Sequence, residues 1–254
     1  MSSLSDRTVL VTGGGGGVGR GLALACAGAG ASVVVGVRDL SKGNEVVERV
    51  SERGGTAMAV ACDVTASDQV EEALRMAADR FGGVDAVIHN AVSTRSSQPV
   101  PFEAAPLSLW DEHAAVSITA SFHIAQAAFS RLAERRGTLI FMTSPAGVDG
   151  SEQLSFYAAV KAAQRGLVKS LAREWGPHGV RVNAIAPLAA TPAMDRAFAA
   201  DPHLEGRVRS LIPLGRLGDS ELDIGPAAVF LCEDGSRYIT GQTLVVSGGR
   251  FTTG

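Results

Sequence analysis

Apolar, β-rich runs alternate with longer helix-patterned stretches along almost the whole chain, and this rhythm limits the architectures open to it. The runs are TVLVT (Thr8–Thr12), SVVVGV (Ser32–Val37), AMAVAC (Ala57–Cys62), VDAVIH (Val84–His89), TLIFMT (Thr138–Thr143), VRVNAIA (Val180–Ala186) and TLVVS (Thr243–Ser247). Most are continuous rather than alternating, as strands covered on both faces are. Between them lie helical stretches such as ASDQVEEALRMAADRF, with Ser67 or Asp68 as N-cap. A β-α-β-α order predicts an α/β fold: one doubly wound, Rossmann-like domain over residues 1–254, with a parallel sheet of about seven strands and helices on both faces. No linker or internal repeat interrupts it. Two segments escape the rhythm, Ser93–Pro106 and an irregular insert at 188–219, and both leave carboxyl ends of strands, where open α/β sheets bind ligands. The insert is expected to cover substrate.

A glycine run, VLVTGGGGGVGRG, joins the first strand to the first helix. Amides at a helix N-terminus form an anion site, and glycine admits a pyrophosphate closely. Two registers match: Gly14, Gly16 and Gly19 fit GxGxxG, whereas Thr12, Gly13, Gly17 and Gly19 fit TGxxxGxG, with Val18 between them. The second strand ends in Val37, where an acidic residue would grip a ribose 2′-hydroxyl, and Arg38 follows, suited to a 2′-phosphate. This predicts NADP(H) over NAD(H), against the alternative of an ordinary surface arginine. Asp39 is expected to face solvent or cap the next helix. Asp63, at the end of the third strand, either reaches an adenine amino group or caps a helix.

The chain contains two tyrosines, and one of them, Tyr157, precedes Lys161 by four residues in SFYAAVKAA, so the two share a helical face. A free phenol is ionised to only about one part in a thousand at neutral pH, and an adjacent ammonium lowers its pKa. Tyr157 could then exchange a proton with a substrate oxygen that Ser144, just past the fifth strand, orients.

These features, in order with CDV (Cys62–Val64), HNAV (His89–Val92), TSPAG (Thr143–Gly147), VRVNAIAP (Val180–Pro187) and YITGQTLVVSGG (Tyr238–Gly249), resemble the short-chain dehydrogenase/reductase family, in particular its 3-oxoacyl-ACP reductase-like and alcohol dehydrogenase-like members. The resemblance implies a homotetramer in which Tyr157 is the acid/base, Lys161 lowers its pKa and holds the nicotinamide ribose, and Ser144 binds the substrate oxygen. It also implies cofactor contacts from Val64, Asn90, Ala91, Pro187, Leu188 and Thr191. The Tyr-to-Lys spacing is that of members acting on alcohols and ketones rather than enoyl groups. Three departures stand out. Ser117 occupies the place of an asparagine that holds a relay water. His89 and Val92 replace an asparagine and a glycine in NNAG, with His89 read as a hydrogen-bonded structural residue. Leu188 replaces a glycine beside the reaction centre.

An apolar substrate pocket is expected from Val92, Pro145, Leu154, Leu188, Met194 and Phe198. The leading expectation is an NADP(H)-dependent enzyme interconverting a moderately hydrophobic ketone and a secondary alcohol. The alternatives are non-redox net chemistry (epimerisation or elimination) and a catalytically weak sensor or scaffold subunit. A formal net charge of −3 without a block of like charge points to neither nucleic acid nor an anionic membrane. Cys26, Cys62 and Cys232 have no metal-ligand spacing, and no leader pattern opens the chain, so a reducing cytoplasm is expected.

Overall fold

The computed structural model describes residues 3–201 and 203–252. Its strands are β1 (Thr8–Thr12), β2 (Ser32–Val37), β3 (Thr56–Ala61), β4 (Ala86–His89), β5 (Thr138–Met142), β6 (Arg181–Pro187) and β7 (Thr243–Val246). The helices are α1 (Gly17–Gly28), α2 (Leu40–Glu52), α3 (Ser67–Phe81), α4 (Leu107–Ala114), α5 (Ala120–Arg135), α6 (Ala146–Asp149), α7 (Ser155–Trp175), α8 (Pro192–Ala200), α9 (Leu204–Ser210) and α10 (Gly225–Cys232). All pairings are parallel and the strand order is β3-β2-β1-β4-β5-β6-β7.

The apolar runs are continuous because successive side chains enter different cores. Val9 and Val11 point with Val35, Ile88 and Ile140 toward α1, α2 and α10, whereas Leu10 points with Val34, Val87 and Phe141 toward α3, α5 and α7. The edge strands depart from two-sided cover: Thr56 and Ala61 of β3 and Leu244 of β7 are exposed.

Local boundaries differ from the expected ones where side chains intervene. β4 begins at Ala86 rather than Val84, because the Asp85 carboxylate takes the Thr8 amide at 2.8 Å in place of a ladder bond. The cap of α3 is Ala66, not Ser67 or Asp68, since the Ala66 amide already closes a turn onto Asp63 O at 3.0 Å. Strand order reverses between β1 and β4: Thr12 at the end of β1 pairs with Gly36 of β2 on one side and His89 of β4 on the other. That reversal opens a crevice at the carboxyl edge, beside the β1–α1 turn. Among the described residues no helix is long and apolar enough to cross a membrane.

Candidate active site

The glycine run separates by geometry into required and replaceable positions. Gly13 (φ +65) and Gly17 (φ +51) are left-handed. A Cβ on Gly13 would lie 2.9 Å from Ala91 Cα, and one on Gly19 would lie 2.2 Å from Gly13 O and 2.5 Å from Asn90 Nδ2. Gly16 has extended backbone (φ −167) and nothing within 4 Å of an added Cβ. Gly14 is crowded by Val35 Cγ1 at 2.9 Å but is not left-handed. The TGxxxGxG register is thus the one whose glycines the backbone demands.

Thr12 locks this turn to β4. Its Oγ1 accepts from the amides of Asn90 (3.2 Å) and Ala91 (3.3 Å), so its own proton goes to His89 Nδ1 at 3.0 Å. Asn90 Nδ2 donates to Gly13 O at 3.1 Å. Burial, and secondarily Lys161, push the His89 pKa down to about 3, leaving a neutral ring edge-on to Phe141. His89 is hydrogen-bonded through Nδ1, while its buried Nε2 has no partner among the described residues.

At the ends of β2 and β3, Val37 is buried, while Arg38 is exposed and faces the crevice near Asp63. Asp39 caps α2, accepting from Ser41 N at 3.0 Å and Ser41 Oγ at 2.6 Å. Asp63 Oδ1 accepts from Thr65 N (3.0 Å) and Oγ1 (2.7 Å), and these bonds, led by the amide, hold its carboxyl below the usual range.

The first turn of α7 carries Tyr157. Ser144 Oγ accepts from Ala146 N at 3.2 Å and lies beside the Tyr157 phenol. Burial raises the Tyr157 pKa, and the neighbouring Ser144 hydroxyl opposes that rise. Lys161 is 2% exposed; its Nζ donates to Met142 O (2.7 Å) and Gln164 Oε1 (3.0 Å) and sits 5.8 Å from the Tyr157 ring centroid. Burial lowers its pKa to about 7. Desolvation governs both groups, and the amine is aimed at neutral acceptors.

One cleft of about 510 Å³ gathers most of the expected residues: Gly13, Gly17, Val18, Arg38, Asp63, Val64, Asn90, Ala91, Val92, Leu154, Tyr157, Lys161, Pro187 and Thr191 all line it. Thr12 and Gly19 are buried behind the turn. Val92 lines the cleft without left-handed backbone, so the replaced glycine leaves no strain. Ser144 stands at the Tyr157 phenol without lining the cleft, and Pro145 is buried beside it. Leu188, Met194 and Phe198 are not among the lining residues. Leu188 is drawn into the sheet edge, its amide donating to Val246 O at 2.9 Å and its carbonyl accepting from Gly218 N at 3.3 Å. Met194 and Phe198 lie on α8, whose start is tied by a Met194 N bond to Thr191 Oγ1 at 3.3 Å. Ser117 is fully buried in a π turn, Ala115–Thr119. Its hydroxyl has no partner among the described residues, while its carbonyl accepts from Gln164 Nε2 at 3.1 Å and Ser121 Oγ at 2.5 Å.

Other functional positions carried no sequence signal of their own. Ser93 donates to Glu112, which also takes Arg95 Nε at 2.7 Å, and this anchors a polar wall of Thr94, Ser96 and Ser97 on the cleft. Gln153, with φ +59, accepts from Val100 N at 2.9 Å and ties that loop to the Tyr157 turn. Gln164 was hidden among alanines, although its spacing of three from Lys161 puts both on one face.

The glycine cradle, closed wherever a Cβ would intrude, together with the α1 N-terminus fits the pyrophosphate of a dinucleotide, and the cleft continues from there to Tyr157. Fold and site define an NAD(P)-dependent oxidoreductase acting on CH–OH/C=O groups. A family model described as Enoyl-(Acyl carrier protein) reductase matches residues 14–250. A tropinone reductase homolog of Arabidopsis thaliana is 34% identical over 255 residues, covering 99% of this chain and 94% of that relative. The L-rhamnose 1-dehydrogenase (NAD(P)(+)) of Azotobacter vinelandii is 34% identical, covering 98% of each chain. A 7 alpha-hydroxysteroid dehydrogenase solved with NADH and 7-oxo glycochenodeoxycholic acid superposes with a TM-score of 0.90 at 32% identity, covering 97% of this chain and 94% of that one. The chain belongs to the short-chain dehydrogenase/reductase family.

Proposed function

We propose that this enzyme interconverts a moderately hydrophobic ketone and a secondary alcohol, with NADP(H) preferred. The observation that carries the reading is the convergence of the Tyr157 phenol, with Ser144 beside it, and buried Lys161 on the cleft that the glycine turn opens. Arg38, exposed where Val37 excludes an acidic grip, supports the 2′-phosphate preference. Val92, Val116, Met142 and Leu154 support an apolar substrate body, and Thr94, Ser96 and Ser97 add hydroxyls for its polar groups.

The dinucleotide supplies or accepts the hydride when bound. Gly13, Gly17 and the α1 amides would hold its pyrophosphate, Asp63 and Val64 its adenine side, and Asn90, Pro187 and Thr191 the nicotinamide half. Ser144 orients the substrate oxygen. Tyr157, a neutral phenol whose pKa burial raises further, donates its proton to that oxygen in reduction and takes it back in oxidation. Lys161, with a pKa of about 7, is poised to pass a proton toward the phenol near neutrality. The insert 188–219 would close over substrate.

A homotetramer in a reducing cytoplasm completes the reading. It is supported by exposed Ile118 and Phe122 around the start of α5, exposed Tyr238 and Leu244 near the β7 edge, and three buried free thiols.

The test is NADPH and NADH oxidation against ketones ranging from diketones to β-ketoacyl thioesters and steroids. Turnover with at least one of them is expected, and Tyr157→Phe should lower kcat about 100-fold or more while leaving dinucleotide affinity intact. Full activity in that variant would exclude the mechanism.

A further inference from the structure

Gln164 is 2% exposed, one turn beyond Lys161 on α7. A buried carboxamide is costly unless every polar atom is matched. Here each is. Nε2 donates to Ser117 O at 3.1 Å and to Ser121 Oγ at 3.0 Å, and the Ser121 hydroxyl proton goes to Ser117 O at 2.5 Å. Both amide protons are consumed, so the amide cannot flip, and only Oε1 remains to meet Lys161 Nζ at 3.0 Å. The Ser117 carbonyl is free for this duty because the helix is π-wound there, with Ala120 N reaching back to Ala115 O.

We propose that Gln164 is a positioning residue: its carboxamide, fixed by the Ser117–Ser121 turn, aims the Lys161 amine and sets its proton affinity. This rests on the reading of Lys161 as part of the oxidoreductase site. The titratable groups facing the amine are Tyr157 on its own helix, His89 on β4 and His113 on α4. Its hydrogen-bond acceptors, Met142 O and Gln164 Oε1, are both neutral. The acceptor at position 164 is therefore a lever on the protonation of Lys161.

The chain has only three lysines, Lys42, Lys161 and Lys169, and the other two are exposed. Lysine labelled with 13C at Cε thus gives three resonances. The wild-type protein, Gln164→Glu and Gln164→Met are titrated between pH 5 and 11. The Lys161 midpoint is expected near neutrality in the wild type, higher by a unit or more in Gln164→Glu, where an anion replaces the amide, and lower in Gln164→Met, where the acceptor is lost. The alkaline limb of the kcat profile should move with it. If Gln164→Met fails to fold, the isosteric Gln164→Glu carries the test. Midpoints unmoved in the folded variants, even with lowered Tm, overturn the proposal and leave Gln164 a packing residue. Moved midpoints in a protein that turns over no carbonyl would uphold the assignment of Gln164 while the proposed reaction falls.

Discussion

With a folded pKa of about 7 and an unfolded value near about 10.4, Lys161 sheds a proton on folding throughout the interval between them. There the unfolded chain binds more protons than the native one, so this residue makes stability rise with pH from about 7 to about 10.4, and its cost is greatest below that window. Lys161→Met, which fills similar space without the amine, should therefore flatten the rise of Tm between pH 7 and pH 10 while removing activity. Differential scanning calorimetry across that range reads the change of slope. Arg38 makes the opposite kind of contribution: it lies in solvent, so Arg38→Ala should leave Tm unchanged. Loss of one charge-assisted contact to a 2′-phosphate should weaken NADPH binding by about 10- to 100-fold and NADH binding far less. Equal weakening of the two nucleotides by isothermal titration would remove the phosphate role. Tyr157 and Lys161 were legible in the sequence because their spacing puts them on one helical face, and Ser144 because it follows the end of a strand. The protonation of Tyr157 and Lys161 was not, because it depends on burial, which no motif marks.

The strands were visible almost to the residue, since buried parallel strands must be continuously apolar, and β1 and β2 match their apolar runs end to end. Boundaries slipped where a side chain replaced a backbone partner, as Asp85 does at β4. The π turn around Ser117 had no marker in its sequence, AVSIT, because a change of helical winding is set by what the carbonyls meet. The β1–α1 turn was legible as a loop but ambiguous in register, since identical glycines conceal which of them the backbone needs. Substitution resolves it. Gly19→Ala drives a methyl into Gly13 O and Asn90 Nδ2 and should cost about 1–3 kcal/mol, together with dinucleotide affinity. Gly16→Ala meets nothing and should fold with nearly wild-type Tm. Thermal melts of the two variants side by side suffice, and equal losses would reject the assigned register.

Across the whole molecule, the β-α alternation forced a parallel sheet, and right-handed crossovers left few strand orders to choose from. The order itself, and hence the position of the crevice between β1 and β4, emerges only when the strands are seen paired. The irregular stretch after β6 was visible as an interruption, but its closure was not. Ala189 and Gly218 pair side by side, Ala190 N reaches Gly218 O at 2.9 Å, and Gly218 N reaches Leu188 O at 3.3 Å, so the stretch departs from and returns to a single point. A segment held that way is an interchangeable cassette. Its length and content can be rewritten at little entropic cost to the sheet, because its two ends are already joined.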